Sequence, residues 1–541
     1  MAIVKQLDKR SGITYAYESV SRWDKDKKQS RSSRRLIGRV DGATGEIIAT
    51  DGRCRKDLTS NETAVRVKRG RKPSLTVRRQ FFGATYLLDR IGKKIGIVED
   101  LKSCFPDCYK MILSISYYLI LEQDSPLFRF GRWGQLHRHP FGEDIASQRS
   151  SELFASITEE QKQAFFRLQG RRRAKDEYWA YDATSISSYS ESLRQLRFGK
   201  NKDGDRLPQL NLLLLFGEKS NLPFYYRKLA GHVPDVKTLR VLLRDLDVLG
   251  YPKVKLVTDR GFYSQENING LYQNHVKFLM SASTSLSFIK GAIESQKDHI
   301  MDWSHYSEKY DLYATTKSIA WDYSQVRPNK GDTLKEVRRM YLHLYFNADR
   351  SVEDARAFNK RMAMLHQELS AGMRKAEHEK EYEKYFELKK TPVRGIQIKA
   401  RQEAMEQAKS RFGYFALLSN EIKSSEVALE IYRNKDVVEK AFGNIKQRLN
   451  GKRLLVSSEA SLDGKLFVVF IALIFLSYLT KQMSEKNLYT KYTLQALLDE
   501  VDLIECFEEP GKALYIGEIL QKQRQIFEAM GFNAPDVVSS L

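Results

Sequence analysis

Cysteine is almost absent from the chain. Four residues, Cys54, Cys104, Cys108 and Cys506, are spread over 541 positions. That excludes a disulfide framework, and Cys104 and Cys108 lack a second Cys or His pair at zinc-site spacing. Reduced thiols in a cytoplasm are expected. His137 and His139, in the run His137-Arg138-His139-Pro140, also stand without partner ligands, so an exposed loop is expected there. Long apolar runs are missing too. The continuous stretch from Leu466 to Leu479 has 14 residues with Ser477 inside it, shorter than a bilayer span and suited to a buried core helix. The N-terminal MAIVKQLDKR has no signal-peptide core and no lipidation motif is found, so no membrane partner is expected. There is no Gly-x4-Gly-Lys-Ser/Thr phosphate loop and no internal repeat.

Positive charge, by contrast, is in excess. The 90 Lys and Arg against 68 Asp and Glu give a formal +22. Such a balance points to a polyanionic partner, because neutralising phosphates releases the counterions condensed on nucleic acid. Residues 1 to 80 alone hold 21 Lys and Arg against 9 Asp and Glu, more than half of the excess, so one end of the protein is built to meet phosphates. The hydrophobic fraction of 42% is ordinary for a folded protein. The length exceeds the roughly 250–300 residues at which one core stops growing, which implies several domains.

Residues 1–80 read as a basic β-rich DNA-binding module: short apolar strands at Ile13 to Tyr17 and Arg35 to Val40 alternate with turns such as Asp41-Gly42 and Thr44-Gly45. Within it, Arg69-Gly70-Arg71-Lys72-Pro73 resembles an AT-hook, whose Arg-Gly-Arg lies in a narrow A·T minor groove; a plain basic linker is the other reading. Residues 81–175 have helical periodicity with basic ends, including an amphipathic Ser151 to Leu168, suited to a DNA-end-binding domain or to a scaffold with solvated ends. From 176 to 299 the pattern is β-β-β-α-β-α: Tyr178 to Ile186, Gln209 to Phe216, Leu222 to Leu229, helix Val236 to Leu249, strand Lys253 to Thr258, and a helix from about Ser264. This is the opening of a ribonuclease-H-like mixed α/β sheet. Residues 300–410 interrupt it, first with aromatic β-like sequence around Trp303, Trp321 and Tyr341 to Phe346, then with charged helical sequence. Residues 411–482 return to the core through the strand Tyr414 to Leu418, and 483–541 form a helical C-terminal region with a possible dimerisation role.

Asp182 lies inside the first strand, and Asp259 directly follows Lys253 to Thr258. A carboxylate in or just after a buried strand is costly unless a cation sits against it, so two on neighbouring strands would make a metal cradle. Each taken alone also fits a loop cap. The third candidate, Glu439, falls on a helix with Tyr432, Lys435 and Lys446. At about 100° per residue these four project at roughly 0°, 300°, 340° and 320°, one polar stripe, provided that the helix has no break near Asn434 to Asp436. Val438, Ala441 and Ile445 fall on other sides.

Tyr432-x2-Lys435-x3-Glu439-x6-Lys446 resembles the Tyr-Arg-Glu-Lys signature of a large group of bacterial insertion-sequence transposases, with Lys435 in place of the usual Arg. Thr258-Asp259-Arg260-Gly261-Phe262-Tyr263-Ser264 is similar to that group's second-acid block, and Tyr181-Asp182-Ala183-Thr184 to its first. The stretch Gly231 to Leu239, with Asp235 and Thr238, is similar to the segment between them. The N-terminal Tyr17-Glu18-Ser19 through Gln29 resembles the long, N-terminally extended branch of the group. The resemblance implies a DDE transposase that works by metal-dependent cleavage and strand transfer. Asp182, Asp259 and Glu439 would be catalytic residues and ligands of two Mg2+ ions, with Mn2+ able to substitute. It also implies that Tyr432, Lys435, Lys446 and Arg260 touch DNA, alongside Arg69 and Arg71 from the basic N-terminus. A tryptophan of the inserted domain, Trp303 or Trp321, would stack on a flipped base, although a core position is open for either. The implied partners are double-stranded DNA, as terminal inverted repeats and target, and a second subunit in a synaptic homodimer. The implied setting is a prokaryotic cytoplasm. A ribonuclease-H-like nuclease and a non-catalytic DNA-binding descendant are the rival readings. Asp182 and Asp259 are 77 residues apart, and Asp259 and Glu439 180 apart; the longer interval matches the position of the insertion domain in that group.

Overall fold

The structure, a computed structural model, describes residues 2–25, 27–49, 77–123, 125–173, 177–202, 204–251, 253–327, 331–391, 395–449, 451, 456, 458–509 and 511–536. The pentapeptide with Arg69 and Arg71 lies outside them. The chain divides into two compact units, 1–74 and 75–541. The first is an antiparallel sheet of four strands, Ala2–Leu7, Thr14–Asp24, Gln29–Val40 and Ile47–Ile48, in that order.

The second unit is mixed α/β, built around a nine-stranded sheet. Its strands are β1 (Trp179–Ser187), β2 (Gln209–Gly217), β3 (Pro223–Ala230), β4 (Lys255–Thr258), β5 (Lys277–Ala282), β6 (Tyr306–Ser307), β7 (Leu312–Arg327), β8 (Asp332–Phe346) and β9 (Tyr414–Ser419). They lie in the order β6-β7-β8-β9-β5-β4-β1-β2-β3. β1, β4 and β5 run parallel, while β2 is antiparallel to both β1 and β3. This arrangement is compatible with the ribonuclease-H-like expectation. Every residue of β1 and β2 is buried, which accounts for the nearly unbroken apolar run Leu212 to Phe216: a strand covered on both faces needs no polar side.

Helix Asp235–Leu249 leads into β4 and shows why its ends fall where they do. Pro234 precedes the first turn, and Gly250 takes the left-handed conformation (φ 68°) that closes the last one, a position where a Cβ is strained. Leu239, Leu242, Leu243 and Leu246 recur at helical spacing on its buried face. The next helix, Gln265–Gln273, starts at Ser264, whose hydroxyl accepts the Asn267 N–H at 3.1 Å, an N-cap of the usual kind.

The aromatic sequence after residue 300 adds strands to this same sheet. β7 and β8 pair over their full length, and β8 then pairs with β9, which returns from far along the chain to lie against β5. What lies between β8 and β9 has its own small core. There Met362, Leu365 and Leu369 of helix Ala348–Ser370 meet Tyr382, Tyr385, Phe386 and Ala408. The Glu368 carboxylate accepts from His378 at 2.7 Å and from the Tyr382 hydroxyl at 2.5 Å.

Helix Glu459–Glu485 joins the helical region 83–173 to the sheet. It is long and apolar enough to cross a membrane by length and composition, yet 89% of its most apolar window is buried inside the protein. Phe467 packs on Phe105 and Phe165, Phe475 on Tyr117, and Phe470 on both Phe166 and Tyr226. Gly464 lies directly against the Phe154 backbone. The amphipathic stretch expected from Ser151 to Leu168 is two helices, Ser147–Ser156 and Glu159–Arg173.

The C-terminal region folds back onto the same chain. Strand Glu505–Glu508 pairs with Arg78–Phe81, and Leu497, Leu498, Val501 and Phe527 are buried. His137 and His139 correct the expectation of an exposed loop, being 6% and 7% exposed. His137 stacks on Trp133 and bonds both the Trp133 carbonyl and Asp502, while His139 bonds Ser114. Trp133 is one helical turn away, but Asp502 and Ser114 come from other elements, so the histidine spacing carried no sign of them.

Candidate active site

The register of two parallel strands brings the first two acids together. Tyr181 of β1 is paired with Thr258 of β4, so the next residues, Asp182 and Asp259, emerge side by side at neighbouring positions. Asp182 is 6% exposed, and its Oδ1 accepts the Ala183 N–H at 2.7 Å. Asp259 directly follows β4, with extended backbone before the short turn Arg260–Phe262. Its side chain is 31% exposed.

Glu439 arrives from helix Asp436–Gln447. Val438, Ala441, Phe442 and Ile445 bury one face of that helix, leaving Glu439 in the first turn, where the helix dipole favours a carboxylate. One ligand oxygen from each of Asp182, Asp259 and Glu439 can be chosen so that all three lie within 4.8 Å of one another. The three acids, from two strands and a helix, share one site.

The expected continuous helix is in fact broken, and the break is part of the site. Ser425–Asn434 ends and Asp436–Gln447 begins at Lys435, where the Lys435 N–H bonds the Tyr432 carbonyl at 3.2 Å and the Val438 N–H bonds the Lys435 carbonyl at 3.0 Å. These three-residue turns tighten the backbone without leaving the right-handed region, since Lys435 has φ −60° and ψ −22°. The polar stripe read from the sequence therefore survives at its N-terminal end. The Tyr432 hydroxyl donates to Asp259 Oδ1 at 2.8 Å, while Lys435 Nζ lies 3.1 Å from the same oxygen and 3.7 Å from Glu439 Oε1.

Lys435 is 2% exposed, an environment that a lysine occupies only when paired. Burial works against its charge, but Asp259 and Asp182 outweigh that cost and hold its pKa above the ordinary lysine value. Burial pushes Asp182 upward, opposed by Lys202 and Lys435. Burial and the neighbouring Asp259 likewise raise the Tyr432 phenol. Lys202 was not among the residues singled out from sequence. Its Nζ lies 3.7 Å from Asp182 Oδ1 and 3.5 Å from Asp235 Oδ2, and it donates to the Ala183 carbonyl. The sequence shows Lys202 only as part of a polar turn, with nothing tying it to an acid 20 residues earlier.

The remaining expected DNA contacts differ in exposure. Arg260 is exposed beside Asp259, and Lys446 is half-buried in the last turn of the Glu439 helix. Trp303 is 88% exposed. Trp321, the other candidate, takes the core position that was open to it, at 8% exposure. Its indole N–H donates to Asn269 at 2.9 Å and its ring meets Phe288 edge-on.

The donor set suits a hard divalent cation, since three carboxylates supply oxygen alone, and Asp182, Asp259 and Glu439 would hold it. No curated protein matches the chain. Among solved structures, the piggyBac transposase synaptic complex with hairpin DNA gives a loose likeness at 10% identity and TM-score 0.32, covering 77% of this chain and 70% of that one. The family described as Transposase DDE domain matches residues 174–475, which is more than half of the chain and includes all three acids. The chain therefore belongs to the Transposase DDE domain family.

Proposed function

We propose that the protein is a DNA transposase of an insertion sequence, which binds the element's ends and performs cleavage and strand transfer by a cut-and-paste route. The observation that carries this reading is the convergence of Asp182, Asp259 and Glu439 within 4.8 Å inside a matched transposase domain. In this reading the acids bind two Mg2+ ions, with Mn2+ as a substitute. Bound divalent ions supply Lewis acidity, which lowers the pKa of an attacking hydroxyl and stabilises the leaving oxygen of a phosphodiester.

The chain's own residues do the rest. Asp182 and Asp259, set side by side by strand register, form the floor of the site, and the more exposed Glu439 forms its wall. Tyr432, by its bond to Asp259, orients that carboxylate. Arg260 and Lys446 orient the phosphates of a DNA end in this reading, and exposed Trp303 offers a ring to an unstacked base. Double-stranded DNA is the substrate, and a second subunit holds the partner end.

The test is incubation of purified protein with DNA carrying the ends that flank its coding sequence, in Mg2+, Mn2+ or EDTA, for wild type and Glu439→Gln. Metal-dependent excision and joining, absent in the variant, is the expected result. Cleavage without strand transfer would make the protein a nuclease. Binding without cleavage in every metal would make it a DNA-binding descendant.

A further inference from the structure

The N-terminal unit ends in a ribbon that its own sheet does not cover. Strand Thr14–Asp24 pairs with Ala2–Leu7 only as far as Ser19, but pairs with Gln29–Val40 out to Asp24 opposite Gln29. On the far side, Ile47–Ile48 covers only Arg39 and Val40. The segments from Val20 to Asp24 and from Gln29 to Ser33 thus form a two-stranded ribbon with both edges open, about 16 Å long at the usual rise per residue. Ser21 to Trp23 and Gln29 to Arg35 are all exposed.

The ribbon's sequence does not favour its own stability. Arg22 stands directly opposite Arg31, and like charges in that position destabilise a strand pair. Asp24 lies 3.5 Å from Arg31, but Arg22 and Arg35 have no ion-pair partner among the described residues. From Val20 to Arg35 there are seven Lys or Arg and two Asp. The pairing register puts Val20, Arg22, Asp24, Gln29, Arg31 and Ser33 on one face, and Ser21, Trp23, Ser30 and Ser32 on the other. The first face holds the side chains that read base edges, Arg for guanine and Gln for adenine. The second is small and polar apart from Trp23, which keeps the ribbon thin.

We propose that this ribbon enters the major groove of duplex DNA, with Arg22 and Arg31 on guanine edges and Lys25, Lys27, Lys28, Arg34 and Arg35 on the flanking phosphates. The proposal rests on the reading of the chain as a DNA transposase and specifies how part of that DNA is recognised. A two-stranded ribbon fits the major groove, about 12 Å wide, and is too broad for the minor groove, about 6 Å wide.

The experiment uses the full chain and a labelled duplex carrying the flanking ends, and measures Kd across a salt series. Arg22→Ala/Arg31→Ala is expected to weaken binding about tenfold with little change in the salt slope, because base-edge contacts neutralise no phosphate, whereas Lys27→Ala/Lys28→Ala should lower the slope by nearly two. Methylation of guanine N7, which lies in the major groove, should interfere with wild-type binding and not with the variant's. Arg22→Lys/Arg31→Lys should keep the salt slope and lose the interference, because lysine lacks the two-pronged fork; it also serves if the alanine pair fails to fold. Unchanged Kd and unchanged interference in the alanine pair would overturn the ribbon and leave DNA binding standing. Competition by a minor-groove ligand without N7 interference would overturn the groove assignment. A wild-type protein that binds no duplex would overturn both this proposal and the reading beneath it.

Discussion

Replacing Lys435 with methionine should raise the protein's affinity for divalent metal while lowering its stability in metal-free buffer. Lys435 Nζ sits 3.1 Å from Asp259 Oδ1, so a cation coordinated by that oxygen, at a bond length of about 2.1 Å, lies within about 5 Å of the ammonium. At an effective dielectric near 20 the repulsion between a dication and the ammonium is on the order of 6 kcal/mol. Movement of the flexible lysine relieves much of it. If about 1.4 kcal/mol remains, affinity differs tenfold. In EDTA the sign reverses. Removing one partner of a buried pair costs about 3–5 kcal/mol, and the partial exposure of Asp259 and Glu439 reduces this to about 2 kcal/mol. Mn2+ titration by calorimetry, with thermal unfolding in EDTA and in excess metal, measures both effects. The variant should bind Mn2+ about tenfold more tightly, melt lower in EDTA and recover with metal. Lys435→Arg, which keeps the charge, should stay near wild type in both. Equal or weaker Mn2+ binding by a folded Lys435→Met protein would refute the idea that this ammonium competes for the acids.

Other expectations can be checked by unfolding measurements. Trp321→Ala should cost about 3–5 kcal/mol in stability, as expected for deleting a buried tryptophan, whereas the exposed Trp303→Ala should change stability little and act on DNA binding alone. Gly464→Ala should destabilise by about 1–3 kcal/mol, because the added Cβ meets the Phe154 carbonyl and forces apart two packed helices. Acid should destabilise the second unit between pH 6.5 and 4. Burial holds His343 and His139 down at about 4. Below the ordinary histidine pKa the unfolded chain therefore takes up protons that the folded one refuses, and stability falls with pH until the folded pKa is reached. His343→Gln should flatten that part of the profile; an unchanged slope would assign it elsewhere.

Much of the centre was legible because its elements are local. An apolar run followed by Asp, as at Lys253 to Asp259, marks a buried strand with an acid at its end. The helical spacing of Val438, Ala441 and Ile445 fixes which way Glu439 faces. Those patterns follow from the two-residue period of strands and the 3.6-residue period of helices, which no distant residue alters. The helix break at Lys435 left no comparable mark, since Asn434, Lys435 and Asp436 are all compatible with continuous helix.

What the sequence determined by itself was the kind of chemistry: three carboxylates in ordered blocks, a strong positive charge concentrated near the N-terminus, and an alternating α/β core. Tertiary structure decided which side chains meet. It placed Lys202 and Lys435 against the acids, buried Trp321 and exposed Trp303, and gave His137 and His139 partners from remote segments. It also joined β7 and β8 to the main sheet through β9, a strand that follows them by about seventy residues. Burial and ion pairing depend on segments far apart in the chain, and a single sequence contains the residues for those contacts but not the register that brings them together.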